Sequence, residues 1–314
     1  DTNLINAASA SAYRSNSDST FEYMQNTTFG TFDAMAGASS QYVYNMPSDS
    51  DLDLAMRYKN TTANGVNYTT NYSYNYDKNP IINMSWRNSA GGELTTTRTH
   101  DSGTSTTTLK LTDSAGRYGA HGASGTSAGL ATLRFEETVK RAHNIGGSFD
   151  TAIETEALGP VVLRGEALYQ KDVYSPVMDL TALSIGDLPA ALTMVKGDRF
   201  KYVLGADITA LTNMMISAQF IQDRNLDYVD TTSTINDHTL NRFTTDYATM
   251  SLTNNFNKAE KDKNFYSLFF SKPFGASGEH RWNNIFMFEE NGGKWNRLDA
   301  EFSIDDDTQA TVEY

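Results

Sequence analysis

Residues 66–76 read V-N-Y-T-T-N-Y-S-Y-N-Y. One alternating set holds Val66, Tyr68, Thr70, Tyr72, Tyr74 and Tyr76, and the other holds Asn67, Thr69, Asn71, Ser73 and Asn75. Side chains along a strand point alternately to opposite faces, so this period of two gives one greasy face and one wet face. Tyrosine joins an apolar ring to a polar tip and suits the boundary between hydrocarbon and water. The wet face is polar and uncharged, as in the wall of a water-filled lumen. Similar segments recur at roughly the 9–11 residues that a tilted strand needs to cross a bilayer. The pattern predicts an all-β protein, an antiparallel transmembrane β-barrel with about 12–14 strands in this chain.

Composition is compatible with that reading and narrows the rest. The chain has 314 residues, no cysteine and a formal net charge of −13, with a mean hydropathy of −0.49. No run approaches the ~18 apolar residues of a transmembrane helix. A barrel hides its membrane signal, because only alternate residues face lipid. Absence of cysteine fits an oxidising route such as the periplasm. The acidic balance and the lack of a basic stripe argue against nucleic acid as a partner. Asp1-Thr2-Asn3 reads as a mature start after cleavage or as the start of a fragment.

Residues 1–50 read as an irregular segment, a loop, a plug or a partial hairpin, with Tyr42-Val43-Tyr44 as a short strand. Barrel strands are expected over 51–314. Leu52, Leu54, Met56 and Tyr58 share a face, and Asn64-Gly65 turns the chain into the tyrosine strand. Ile82, Met84 and Trp86 mark the next strand. Weak strands are expected at 94–99 and 106–112, then a loop over 116–129. Further strands are read at 130–141, 200–210, 214–221, 243–256, 264–272, 281–289, 295–304 and 308–314. Long loops are expected near 171–198, with a short helix at Asp187–Leu192, and near 223–241. Tight turns thus alternate with long loops, as in bacterial barrels. The competing reading is a soluble β-sandwich or solenoid that buries the same stripes in a core.

Three stretches between about 158 and 228 carry a resemblance: V-V-L-R-G-E-A-L-Y with Gly165 and Glu166, R-F-K-Y-V-L-G-A-D with Gly205 and Asp207, and I-S-A-Q-F-I-Q-D with Gln219. They resemble a family of porin-like outer-membrane barrels of Gram-negative bacteria, largely of unassigned function. Family members are usually longer and close with a strand ending in an aromatic residue. Ala310, Val312 and Tyr314 match that ending weakly. The resemblance implies an outer-membrane barrel and leaves open a self-contained one or a piece of a larger one.

Alternation then assigns the faces. Tyr68, Tyr72, Tyr74, Tyr76, Trp86, Leu133, Phe135 and Tyr202 are expected to meet lipid or its interface. Arg134, Glu136, Asp150, Glu154, Glu156, Arg164, Glu166, Gln170, Asp207, Gln219, Arg297, Asp299 and Glu301 are expected to point inward. Carboxylates outnumber arginines in this set, which implies a mildly acidic lumen preferring cations. The blander reading is that these charges brace a filled lumen and select nothing, since a charge on a barrel strand must face inward to avoid lipid.

Other chemistry is thin. The histidines, His100, His121, His143, His238 and His280, have no metal-ligand spacing. Asp305-Asp306-Asp307 and the Ser48–Asp53 segment lack the glycine and terminal glutamate of a calcium loop. No G-x-S-x-G elbow occurs, so no enzyme is expected, and no cofactor or metal is implied. The function expected is an outer-membrane porin-like channel for passive passage of small solutes or ions. Its expected partners are outer-membrane lipid and the solutes or cations themselves. The alternative is a non-conducting outer-membrane barrel, a scaffold or sheath for an unknown partner protein or an adhesin.

Overall fold

The structure, a computed structural model, describes residues 39–48, 51–88, 90–101, 106–112, 132–184, 187–235, 238–251 and 257–314. The strands are β1 (Ser39–Asn45), β2 (Leu54–Thr61), β3 (Asn67–Tyr76), β4 (Ile81–Arg87), β5 (Thr95–Asp101), β6 (Thr106–Thr112), β7 (Thr132–Thr138), β8 (Arg141–Thr155) and β9 (Gly159–Asp179). They continue with β10 (Leu192–Ala210), β11 (Met214–Asn225), β12 (Asp230–Ile235), β13 (His238–Thr244), β14 (Asp262–Phe274), β15 (His280–Glu289), β16 (Lys294–Ser303) and β17 (Gln309–Glu313). Two short helices, α1 (Leu180–Ser184) and α2 (Leu188–Ala191), separate β9 from β10, and a 3-10 turn covers Tyr247–Ser251. No helix among the described residues is long and apolar enough to cross a membrane.

The protein is all-β, and its main feature is an antiparallel wall. Its strands are ordered β2-β3-β8-β9-β10-β11-β14-β15-β16-β17, and β2 and β17 are its edges. Tight reversals at 62–66, 156–158, 211–213, 275–279 and 304–308 all fall at one end. Asn64-Gly65 makes the first of them, with Gly65 at φ 80° where only glycine is unstrained. The opposite end carries the long connections 77–140, 180–191 and 226–261, and the short reversal 290–293. The expected asymmetry of turns and loops is therefore present.

The long connections fold into a lobe at that end. A three-stranded sheet, β1-β7-β4, has β1 parallel to β7, and β5 pairs with β6 as a separate hairpin. Trp86, Leu94, Leu111, Leu133, Phe135, Met178, Leu183, Leu192, Phe243 and Met250 form its shared core. Burial of such large side chains stabilises by about 1.5–3 kcal/mol each. The Asp179 carboxylate accepts the Thr181 and Ala182 N–H groups at 2.9 and 3.1 Å and so starts α1.

Several expected strands are relocated by this lobe. Residues 81–87 and 132–138 are strands but not wall strands, so the wall holds fewer strands than expected while the described chain as a whole holds more. Residues 171–198 are not a loop: β9 runs on to Asp179 and β10 begins at Leu192. The span 223–241 holds the end of β11 and the β12-β13 hairpin. The strand expected at 243–256 stops at Thr244 and gives way to the 3-10 turn, and 252–256 lie outside the described residues. So do 1–38 and the loop expected over 116–129.

A β-bulge marks where wall becomes lobe. Lys171 and Asp172 of β9 stand opposite Asp198 of β10, and Asp172 takes φ 68°. Asp198 accepts the Asp172 N–H at 3.2 Å and the Tyr169 hydroxyl, and Lys196 pairs with Asp172 at 3.0 Å. Bulges bend a strand and raise its twist, and they gather at sheet rims.

Candidate functional site

The cross-strand register carries one set of faces through the whole wall. From Tyr68 one face passes to Phe149, Gly165, Leu204, Phe220, Tyr266 and Phe288. Adjacent residues belong to the opposite face, which runs from Asn67 through Asp150, Arg164, Gly205, Gln219 and Ser267. Large apolar side chains stand exposed on the first face, among them Met56 at 61%, Ile145 at 52%, Leu204 at 51% and Val312 at 63%. A soluble monomer rarely exposes a contiguous apolar surface of this extent.

Aromatic rings form a belt on that face towards the lobe. Tyr202, Phe220, Tyr266 and Phe288 follow one another at centroid distances of 5.8, 5.3 and 4.9 Å. Tyr72 bonds to His143 at 2.9 Å, and His143 stacks on Tyr74 at 4.6 Å. Charged groups on this face lie near its ends: Arg141, Lys171, Arg224, Asp262 and Lys294 towards the lobe, and Lys272, with the His280 imidazole beside it, towards the tight turns. Arg224 and Asp262 pair at 3.4 Å.

The opposite face gathers Asp150, Glu154, Arg164, Glu166, Gln170, Asp207, Gln219, Arg297, Asp299 and Glu301, all expected inward. Much of it is braced. Arg164 donates to Asp207 and Ser217 at 3.0 Å each. Arg297 lies 3.4 Å from Asp299, which accepts from Asn283 at 2.8 Å. Asn67 donates to Asp150 at 2.8 Å. The motif glycine Gly205 gives room for this arrangement, since a Cβ there would meet the Arg164 side chain at 3.1 Å; Gly165 lies on the other face, where a Cβ would strike the Phe149 ring.

Some expected positions are corrected. Arg134 and Glu136 lie on β7, outside the wall, where they pair with each other at 3.5 Å on the polar face of the lobe sheet. Glu156 lies in the tight turn after β8, not on a strand. Trp86, Leu133 and Phe135 are 2%, 8% and 8% exposed, because the lobe core covers them. Tyr68, Tyr72, Tyr74, Tyr76 and Tyr202 share one face of the wall, the apolar one.

The same register adds groups that the sequence reading missed. Arg57, Lys59, Arg199, Lys201, Lys263 and Arg281 join the charged face, as do Asp223, Glu289 and Glu313. Cations and carboxylates on it then nearly balance, which removes the basis for a mildly acidic lumen. Arg57 and Lys59 alternate with Met56 and Tyr58, so their side was legible in the sequence.

Above the wall, Lys263 reaches Asp246 at 2.9 Å, and Thr245 N–H donates to Pro176 at 3.0 Å. The Tyr247 hydroxyl donates to the Tyr174 carbonyl, and burial pushes its pKa up to about 12. Among the described residues no group of three or more histidine, cysteine or acidic side chains could hold a metal ion. No family model, curated protein or solved structure matches the chain.

Proposed function

We propose that this chain forms the wall of an outer-membrane β-barrel channel in a Gram-negative bacterium, passing small polar or ionic solutes. The observation that carries the reading is the uneven sorting of faces across the register: exposed apolar and aromatic side chains cover one side of the wall with charges only near its ends, while the other side gathers most of the wall's charges, interspersed with apolar groups such as Val203, Ile221 and Phe269. Lipid rewards the first face and water the second. The turns and loops sort to opposite ends in the same sense, and the motifs of 158–228 point to the same class.

Lipid cannot satisfy the backbone N–H and C=O groups of an open edge, so β2 and β17 must be paired in the membrane. β2 runs towards the tight turns and β17 away from them. They can therefore pair antiparallel, with Arg57 and Lys59 on the same face as Glu313, or enclose further strands between them. The bracing of Arg164, Asp207 and Ser217 favours a second reading, a non-conducting scaffold barrel. Conductance steps in a planar bilayer support the channel; insertion without conductance supports the scaffold; no insertion into lipid sinks both.

A further inference from the structure

We propose that the charged face of the wall holds a binding site for small organic monocarboxylates between β2 and β10. The proposal rests on the reading of this face as the solute-lining one. An open recess of about 570 Å³ lies there, lined by Arg57, Asn71, Glu166, Leu168, Lys201 and Val203 among others. A second recess of about 460 Å³ adjoins it and shares Arg57, Asn71 and Leu168. The floor is low because Gly146, in the same row as Asn71 and Leu168, carries no side chain; a Cβ there would sit 3.1 Å from the Ala167 carbonyl oxygen and 3.2 Å from the Asn71 side chain.

This part of the face differs from the braced part. Arg57, Asn71 and Glu166 have no side-chain hydrogen bond or ion pair with another described residue. Asp223 serves two cations at once, Lys201 at 3.2 Å and Arg199 at 3.4 Å, so that pair of bases keeps a net positive charge. Arg57 and Lys201 lie in one register row, with Asn71, Gly146 and Leu168 between them. Four strand spacings separate their backbones, about 19 Å. Both side chains line this recess, and Lys201 leans to Asp223 on the far side of β10, which leaves the space over Asn71, Gly146 and Leu168 open to one small solute.

The chemistry names that solute. An unpaired guanidinium binds a carboxylate through two parallel hydrogen bonds, and the ammonium at the other side of the recess adds positive potential. Leu168, Val203 and Ile221 offer an apolar surface to the body of the ligand. Glu166, opposite Val203 in the register, repels a second carboxylate. The site therefore prefers an aromatic or aliphatic monocarboxylate over its neutral amide and over a dicarboxylate.

Calorimetric titration of the folded chain in amphipol, with benzoate, benzamide and terephthalate as probes, tests this. Benzoate is expected to bind saturably, one per chain, and benzamide about tenfold more weakly. Arg57→Gln and Lys201→Gln are each expected to weaken benzoate about tenfold. Lys294→Gln, which removes a distant charge, should leave benzoate binding unchanged. Glu166→Gln should bring terephthalate up towards benzoate. If Arg57→Gln does not fold, the Lys201 and Glu166 variants carry the test. Equal binding of benzoate and benzamide, or equal weakening by Lys294→Gln, overturns the site. Bilayer recordings on the same preparations separate the two readings. Conductance without benzoate binding removes the site and keeps the channel; benzoate binding without conductance does the reverse.

Discussion

Leu204→Arg is the sharpest test of which face meets lipid. Leu204 lies on the apolar face of β10, beside Gly165 and Phe220, and is 51% exposed. Phe200 and Ile208 are each four residues away, about 13 Å along the strand. With strands tilted by about 35–45°, this puts Leu204 near the middle of an apolar band about 25 Å tall. An arginine there should cost about 2–4 kcal/mol of folded-state stability in lipid. In water, the same change at a half-exposed leucine falls within about 0.5–1 kcal/mol. The partner variant is Val203→Arg, one residue along and on the opposite face. It places a cation across from Glu166, where a cross-strand pair contributes about 0.2–1 kcal/mol. That gain offsets part of the lost packing of the valine. Unfolding from lipid vesicles by urea, followed by tryptophan fluorescence, gives both values, and the heat-dependent gel shift of intact barrels gives a second readout. Equal tolerance of the two variants in vesicles would refute the assignment of faces.

Cysteine at Tyr72 should react with a lipid-phase probe and cysteine at Asn71 with an aqueous one; equal aqueous labelling would sink the barrel reading. Since cations and carboxylates nearly balance on the charged face, an open pore should show a reversal potential close to zero under a potassium chloride gradient, and a strong preference for either ion would show that the register set is wrong. Thr212 is a β-branched residue at φ 58° between Leu211 at 45° and Asn213 at 66°. Thr212→Gly should therefore raise stability by about 1 kcal/mol, read as a shift in the urea midpoint. Tyr247 is held neutral by burial, so the folded lobe keeps its proton while the unfolded chain loses it above about pH 10. Stability tied to Tyr247 is then present below that pH and falls as pH rises towards about 12. Tyr247→Phe should weaken the lobe at neutral pH and remove this part of the alkaline loss, which thermal melts across pH 8–11 would reveal.

The sequence showed the period of each strand but not what lay against it. Tyr72 and Phe135 both alternate with polar neighbours, yet Tyr72 sits on the apolar face of the wall and Phe135 in the lobe core, stacked on Tyr42 at 4.8 Å. A period of two reports that one face is apolar, and a lipid bilayer and a protein core satisfy it equally. Pairing across long separations was also out of reach. Tyr42 meets Phe135 in a parallel ladder, which no turn chemistry between neighbouring strands could announce. The tight turns were readable because Asn64-Gly65 and Gly159 act locally, through backbone angles that glycine adopts at little cost.

The bulge at Asp172 explains why alternation fails next to positions where it succeeded. Up to Tyr169, odd residues of β9 share a face with even residues of β10; beyond the bulge, Met178 pairs with Leu192 and even residues take that face. One extra residue thus reverses the side on which every later residue of β9 lies. A reading that carries parity through 171–179 puts Val177 where Met178 belongs. The bulge leaves no hydrophobic signature, only a lysine and an aspartate of the kind that also mark a loop. What holds it is distant in sequence: Asp198, which receives Tyr169 and Asp172 from β9 and donates its own N–H to Asp227 at 2.7 Å. The rim of the wall is therefore set by a carboxylate on the neighbouring strand, and only the paired strands make its role visible.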